Sequence, residues 1–279
     1  MMTIERARAD KRFGQNYLHD RRVVDRIIRA IAPREGDCIV EIGPGEGALT
    51  GALIDSGATV TAIELDERLL LGLQARFADR FTLLHQDALR VDLDALARNG
   101  DRIRLVGNLP YNISTPLLFH VLRFAHRIDD MHFMLQKEVV DRMGADVGSK
   151  QYGRLTVALA AHTAVEPLFD VAPGSFRPAP KVTSTVVRLR PRPPKPRLLA
   201  PQALDRLLRA GFSQRRKTLA NALSGVCPKT LLSDCGIDPR ARAETVTPAA
   251  WIGLANALGT PAASEDLERP ATSGTIGKS

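Results

Sequence analysis

Short apolar runs alternate with stretches of helical periodicity along most of this chain. Residues 38–42, 59–63, 81–85, 103–106 and 131–135 are too short for helices and end at glycine, acid or amide residues. Each reads as a buried strand. Helical patterns lie between them. Val23, Val24, Ile27, Ile28 and Ile31 share one face, with Asp20 a fitting N-cap and Pro33 a fitting stop. Ser114 and Pro116 open another helix through Leu117, Leu118, Val121 and Leu122, and residues 136–143 and 155–161 suggest two more. This alternation predicts an α/β fold around a Rossmann-like sheet. Residues 164–171 and 183–189 break the rhythm. Joined by the proline-rich loop 173–182, they predict an antiparallel strand pair at one end of the sheet.

The pattern changes again after residue 190. Pro191, Pro193, Pro194 and Pro196 suit neither a helix nor a sheet interior, so residues 191–200 read as a linker. Helical patterns at 201–212, 216–223, 229–235 and 248–258 predict a small all-α domain over 201–259, beside a ligand-binding domain over 1–190. The polar residues 1–12 and the tail 260–279 are expected to be mobile or disordered. Residues 144–153, with three glycines, read as an exposed, mobile loop whose Lys150 can meet phosphate.

Candidate chemistry clusters at the strand ends. The run 38–42 enters Gly43-Pro44-Gly45-Glu46-Gly47 and then a helix, which lets a ligand approach the backbone and a helix N-terminus. Glu64 ends the next strand, about twenty residues after the loop, where an acid can accept from ribose hydroxyls. Asp87 follows the run 81–85 and can accept from an adenine amino group. Gly43, Gly45 and Ala48 also satisfy the looser dinucleotide fingerprint, so a nicotinamide enzyme is an alternative. Against it, Glu41 and Glu46 flank a loop that would have to hold a pyrophosphate. A sulfonium nucleoside such as S-adenosylmethionine tolerates those acids.

The run 103–106 leads into Gly107-Asn108-Leu109-Pro110-Tyr111-Asn112-Ile113-Ser114. An exocyclic amine on a nucleobase is a poor nucleophile because its lone pair is delocalised into the ring. Two acceptors, the Asn108 side-chain oxygen and the Leu109 or Pro110 carbonyl, can hold both N–H bonds and turn the lone pair outwards. The Tyr111 ring can stack on the base. Phe176, between Pro173 and Pro180 and flanked by Arg177 and Lys181, is expected in a stiff, partly exposed frame that suits stacking beside phosphates.

Charge adds a partner class. Formal net charge is +8, and residues 181–230 carry twelve Lys or Arg against one acid, Asp205. That clustering favours a polyanion. Arg215, Arg216 and Lys217 stand at an expected helix start, where they oppose the helix dipole unless an anion or water compensates. The three cysteines, Cys38, Cys227 and Cys235, have no metal-ligand spacing, and Cys38 reads as a core residue. No metal is expected. With no membrane-spanning run, a reduced, cytoplasmic, monomeric protein is the expectation.

Five segments occur together in a known order: residues 11–18, 41–45, 107–114, 176–182 and 212–218. On these, the chain resembles the bacterial small-subunit ribosomal RNA adenine N6,N6-dimethyltransferases from about residue 10 to residue 258. The resemblance implies a class I methyltransferase fold with a small helical C-terminal domain. It implies methyl transfer from S-adenosylmethionine to N6 of two adjacent adenosines in a hairpin loop near the 3′ end of small-subunit RNA. The assembling small ribosomal subunit is the implied partner. Carried over, the donor-binding positions are Asn16, Leu18, Gly43, Gly45, Glu64, Asp87 and Asn108. Asn108, Leu109, Pro110, Tyr111 and Phe176 form the catalytic set, and Lys181, Arg215, Arg216 and Lys217 the RNA contacts. Tyr17 replaces a common Phe, with no consequence expected beyond packing. The related large-subunit dimethylases share much of this pattern, and a DNA adenine methyltransferase would usually carry an acid at position 108. A third alternative is a ribosome-assembly factor whose catalysis is secondary.

Overall fold

The computed structural model describes residues 15–97 and 101–259. The expectations for residues 1–12, the first part of the segment 11–18 and the tail from 260 lie outside them. In chain order the main elements are β1 (Tyr17–Leu18), α1 (Arg21–Ile31), β2 (Cys38–Ile42), α2 (Thr50–Asp55), β3 (Thr59–Glu64), α3 (Glu67–Phe77), β4 (Thr82–His85), α4 (Leu93–Leu96) and β5 (Ile103–Asn108). Then come α5 (Ser114–Leu122), β6 (Ile128–Gln136), α6 (Lys137–Met143), α7 (Arg154–Ala160), β7 (Thr163–Val171), β8 (Phe176–Arg177) and β9 (Ser184–Pro191). Helices α8 (Pro201–Gly211), α9 (Leu219–Ala222), α10 (Lys229–Asp234) and α11 (Pro248–Gly259) complete the described chain.

Seven strands form one sheet in the order β4-β3-β2-β5-β6-β9-β7. The strands from β4 to β6 are parallel, while β9 runs antiparallel to both β6 and β7, as expected from the loop 173–182. Successive strand residues feed opposite faces. Ile39 and Val106 enter the core beneath α1, α2 and α3, whereas Val40 and Leu105 enter the core beneath α5 and α7. Pro167 sits on the edge strand at a register shift, where a missing N–H breaks no central ladder. From β2 the chain moves outward through β3 and β4, and from β5 it moves the other way through β6. The carboxyl ends of β2 and β5 therefore flank a switch point, the usual place for a ligand in such a sheet.

Local signals behave as their chemistry dictates. Asp20 caps α1 by accepting from the Arg22 and Val23 N–H groups at 2.9 and 3.4 Å. The helix closes at Ala32, and Pro33 cannot continue it.

Three expectations need correction. The strand β9 extends to Pro191, opposite Thr163, so the irregular connection begins one residue later than read. The loop 144–153 is tethered: Gly148 N–H donates to the Glu244 carbonyl, and the Tyr152 hydroxyl donates to the Val246 carbonyl, both at 2.7 Å. Tyr152 is fully buried with Leu155, Leu204, Leu208 and Trp251 in a core that the C-terminal helices share with the sheet's helices. Finally, α9 begins at Leu219, so Arg215, Arg216 and Lys217 lie in the turn before the helix and not in its first turn.

Candidate functional site

A cavity of about 320 Å³ opens at the switch point, lined by the loops after β2, β3, β4 and β5 and by residues 15–18. The glycine loop is shaped by backbone that side chains resist. Gly43, Gly45 and Gly47 have φ of 66°, 59° and 77°. A Cβ on Gly45 would stand 3.1 Å from the Tyr17 ring, so a glycine here lets residues 15–18 cross the loop as a strap over the cavity. Gly107 has its own reason: a Cβ there would come within 2.5 Å of the Ile42 carbonyl oxygen.

Glu64 is nearly buried, and its carboxylate accepts from the N–H groups of Gly45, Leu65 and Asp66 at 3.2, 2.9 and 2.9 Å. Burial pushes its pKa up, and those backbone donors pull it back. Glu41, only 2% exposed, accepts from the Thr50 hydroxyl at 2.7 Å. Burial raises the Glu41 carboxyl to about 7, against the pull of that hydrogen bond, and the charge of Glu64 adds to the rise. Asp87, half-buried after the neighbouring strand β4, is steadied by the Leu89 N–H at 2.9 Å.

The β5 end carries the second half of the site. Leu109 is held by its N–H to the Met134 carbonyl at 3.1 Å. The Pro110 carbonyl accepts from the Ile113 N–H at 3.2 Å and the Ser114 hydroxyl at 2.9 Å. The Asn108 Nδ2 donates to the Asn16 carbonyl at 2.9 Å. Tyr111 lines the cavity with its hydroxyl 2.7 Å from Ser184 Oγ.

Among the residues read from sequence, Asn16, Leu18, Gly43, Gly45, Glu64, Asp87, Asn108, Leu109, Pro110 and Tyr111 all line this one cavity. Phe176 does not. It is 3% exposed, because β8 pairs antiparallel with β1 and lays Phe176 against Leu18 in the core, contrary to the partly exposed frame expected. Tyr17 also departs from expectation. Its buried hydroxyl needs a partner and donates to Gln15 Oε1 at 2.7 Å. Gln15 Nε2 in turn donates to Asp66 at 2.8 Å, fastening the strap to the tip of β3.

Lys181, Arg216 and Lys217 are exposed and lie outside the cavity. The Arg215 guanidinium donates to the Lys150 and Tyr152 carbonyls at 2.9 and 3.2 Å. It thereby joins Lys150, Arg142 and Arg154 around a second cleft of about 500 Å³ between α6, α7 and the C-terminal helices. Sequence reading missed Arg142 and Arg154, since each sits in a helical pattern with nothing to single it out. Cys38 is half-buried against the core, and none of the three cysteines forms a disulfide. Among the described residues, no group of His, Cys, Asp or Glu could hold a metal ion, and no helix is long and apolar enough to cross a membrane.

A glycine loop at a switch point, an acid at the next strand tip and Asn-Leu-Pro-Tyr across the cavity define a class I methyltransferase. The family model described as ribosomal RNA adenine dimethylase matches residues 6–259. A ribosomal RNA small subunit methyltransferase A from Pseudomonas aeruginosa is 49% identical, covering 92% of this chain and 97% of its own. A protein of the same description from Acidithiobacillus ferrooxidans is 52% identical over 90% of this chain and 94% of its own. Among solved structures, a dimethyladenosine transferase from Plasmodium falciparum aligns with TM-score 0.72 at 26% identity, over 85% of this chain and 95% of its own. The 23S rRNA methyltransferase ErmE aligns with TM-score 0.64 at 27% identity, over 88% of this chain and 100% of its own. The chain belongs to the ribosomal RNA adenine dimethylase family.

Proposed function

We infer that the protein transfers methyl groups from S-adenosylmethionine to N6 of two adjacent adenosines in small-subunit ribosomal RNA, in a hairpin loop near its 3′ end. The observation that carries this reading is the Asn108 amide, held beside the glycine-loop cavity with a fixed orientation. A backbone carbonyl only accepts, so the atom facing Asn16 must be the NH2. The Asn108 oxygen is thereby committed as the acceptor on the other branch.

The cavity residues fit the donor. Glu64, Asp87 and Glu41 all line the cavity; in this reading Glu64 accepts from ribose hydroxyls, Asp87 accepts from an adenine amino group, and the Glu41 carboxylate, when ionised, favours a cation. S-adenosylmethionine, when bound, supplies an electrophilic methyl on a sulfonium. The protein's part is to present the nucleophile. The target adenosine leaves its loop, where unstacking costs less than in a duplex, and lies on the Tyr111 ring. Asn108 Oδ1 and the Leu109 carbonyl hold the two N6 hydrogens. The Pro110 carbonyl is the poorer choice, because Ile113 and Ser114 already occupy its two lone pairs. Oriented oxygens then stabilise the positive charge that develops on nitrogen. As the N–C bond forms, the sulfonium S–CH3 bond would break and its electron pair would stay on sulfur as a thioether; the methylated ammonium is strongly acidic and releases its proton to water, so no general base is required. Phe176 serves by backing the strap from the core.

The large-subunit alternative is weaker, since relatives near half identity are described as small-subunit enzymes whereas ErmE is 27% identical. The test is labelled S-adenosylmethionine with under-methylated small subunits, followed by nucleoside analysis of each ribosomal RNA. N6,N6-dimethyladenosine confined to the small-subunit RNA is expected. Label in large-subunit RNA would move the protein to the other branch. Donor binding without any label would make subunit assembly its main task.

A further inference from the structure

Ser184 is fully buried at the first position of β9, where its backbone pairs with Gln136 on one side and Val171 on the other. A buried hydroxyl is unfavourable unless it finds a partner, and the partner here is the Tyr111 hydroxyl at 2.7 Å, 73 residues away in sequence. Tyr111 itself is only half-buried, on a turn after β5, and is one of the residues that line the cavity. The bond therefore ties a loop aromatic, at its far end, to the start of the central strand of a three-strand ladder. An aromatic ring turns about two side-chain bonds. Fixing the para oxygen fixes the direction in which the ring projects, and because a phenol hydroxyl is conjugated with its ring and bonds best in the ring plane, a rigid partner also favours one plane for the ring face.

We propose that Ser184 is a positioning residue for methyl transfer, setting the plane of the Tyr111 ring and so the plane of the base that stacks on it. The inference rests on the reading of Tyr111 as the base platform. Its physical basis is geometric: the N6 lone pair leaves the base along a direction fixed by the ring plane, and in-line attack tolerates little tilt. Burial raises the Tyr111 phenol pKa, in keeping with a neutral hydroxyl shared with Ser184.

Ser184→Ala, Tyr111→Phe and the double variant separate this role from packing. Single-turnover transfer with saturating donor and RNA is expected to fall about tenfold in each single variant. The double variant should be no slower than either single one, because both changes remove one shared interaction. Donor affinity should stay at the wild-type value in all three; Tyr111→Phe, which leaves the Ser184 hydroxyl unpaired, should melt lower, and the double variant should regain that loss, whereas a merely structural serine would leave the bound complex's rate alone. Should Ser184→Ala fold poorly, Tyr111→Phe, at a half-exposed residue, carries the test. Wild-type rates in the single variants, or additive losses in the double, overturn the role of Ser184. Tyr111→Ala separates the two layers of argument. If it transfers at the wild-type rate, the platform reading itself fails. If it is inactive while Ser184→Ala and Tyr111→Phe run normally, only the positioning role fails.

Discussion

The Asn108 side-chain amide donates to the Asn16 carbonyl at 2.9 Å, joining the strap over the donor cavity to the group that presents the nucleophile. Replacing Asn108 with Ala removes both ends of that link. Transfer should fall by about 10²–10³, the usual loss when one oriented hydrogen-bonding group is removed from a developing charge. Thermal stability should change little at this half-buried position. Asn108→Asp should in addition weaken donor binding, since a carboxylate repels the Asn16 carbonyl instead of donating to it. Single-turnover rates and donor titrations on both variants check these outcomes, and near-wild-type transfer by Asn108→Ala would remove the residue from the mechanism.

Glu41 makes stability depend on pH. Its folded carboxyl titrates at about 7 against 4.5 for the ordinary group, so the folded chain holds more protons between those values. Its contribution is whole below about 4.5 and is lost as pH rises through about 7, a change of about 3 kcal/mol for a shift of this size. Glu41→Gln can still accept from Thr50 and should be more stable than the parent above pH 7, with a flatter profile below it. Donor binding should behave oppositely. A sulfonium favours the ionised carboxylate, so affinity should rise from pH 6 toward 8 in the parent and less in Glu41→Gln. Melting curves and calorimetric titrations across that range decide it.

The strand–helix alternation and the strand-end motifs were legible because they are local: apolar runs of strand length, glycines before a helix, an acid at a strand tip. All the catalytic-loop residues from Asn108 to Tyr111 meet the glycine loop because the sheet changes direction between β2 and β5. What was not legible depends on pairing between distant segments. Nothing near Phe176 announces that residues 17–18 will pair with 176–177 and cover it. The same holds for the Tyr17–Gln15–Asp66 chain, and for Tyr152, whose glycine-rich loop looks free until the C-terminal segment accepts its hydroxyl. Arg215 reads from sequence as one of three cations at a helix start, and nothing local announces that its guanidinium binds the carbonyls of residues 150 and 152.

Gly211 lets α8 approach α11. A Cβ there would stand 2.6 Å from Trp251 Cη2, and Trp251 is fully buried with no room to retreat. Gly211→Ala should destabilise the fold by about 1–3 kcal/mol through overpacking. The cavity lies elsewhere, so methyl transfer at saturating substrates should remain at the parent rate below the melting transition. Paired denaturation and turnover measurements test both halves. A loss of rate without loss of stability would mean that α8 and α11 transmit to the site.

Arg216 and Lys217 are exposed, and no acid among the described residues pairs with either. Arg215 is different, since its guanidinium holds the 150–152 backbone, and its removal would disturb the second cleft as well as any RNA contact. The cleaner test is therefore Arg216→Ala with Lys217→Ala. If both neutralise phosphates, the logarithmic salt dependence of RNA binding should lose roughly 0.7–0.9 per contact. The loss should be equal across RNA sequences, because phosphate contacts carry no base information. Donor affinity and melting temperature should not move. Filter-binding isotherms from low to physiological salt give the slope directly, and an unchanged slope would assign these cations to solvent rather than to RNA.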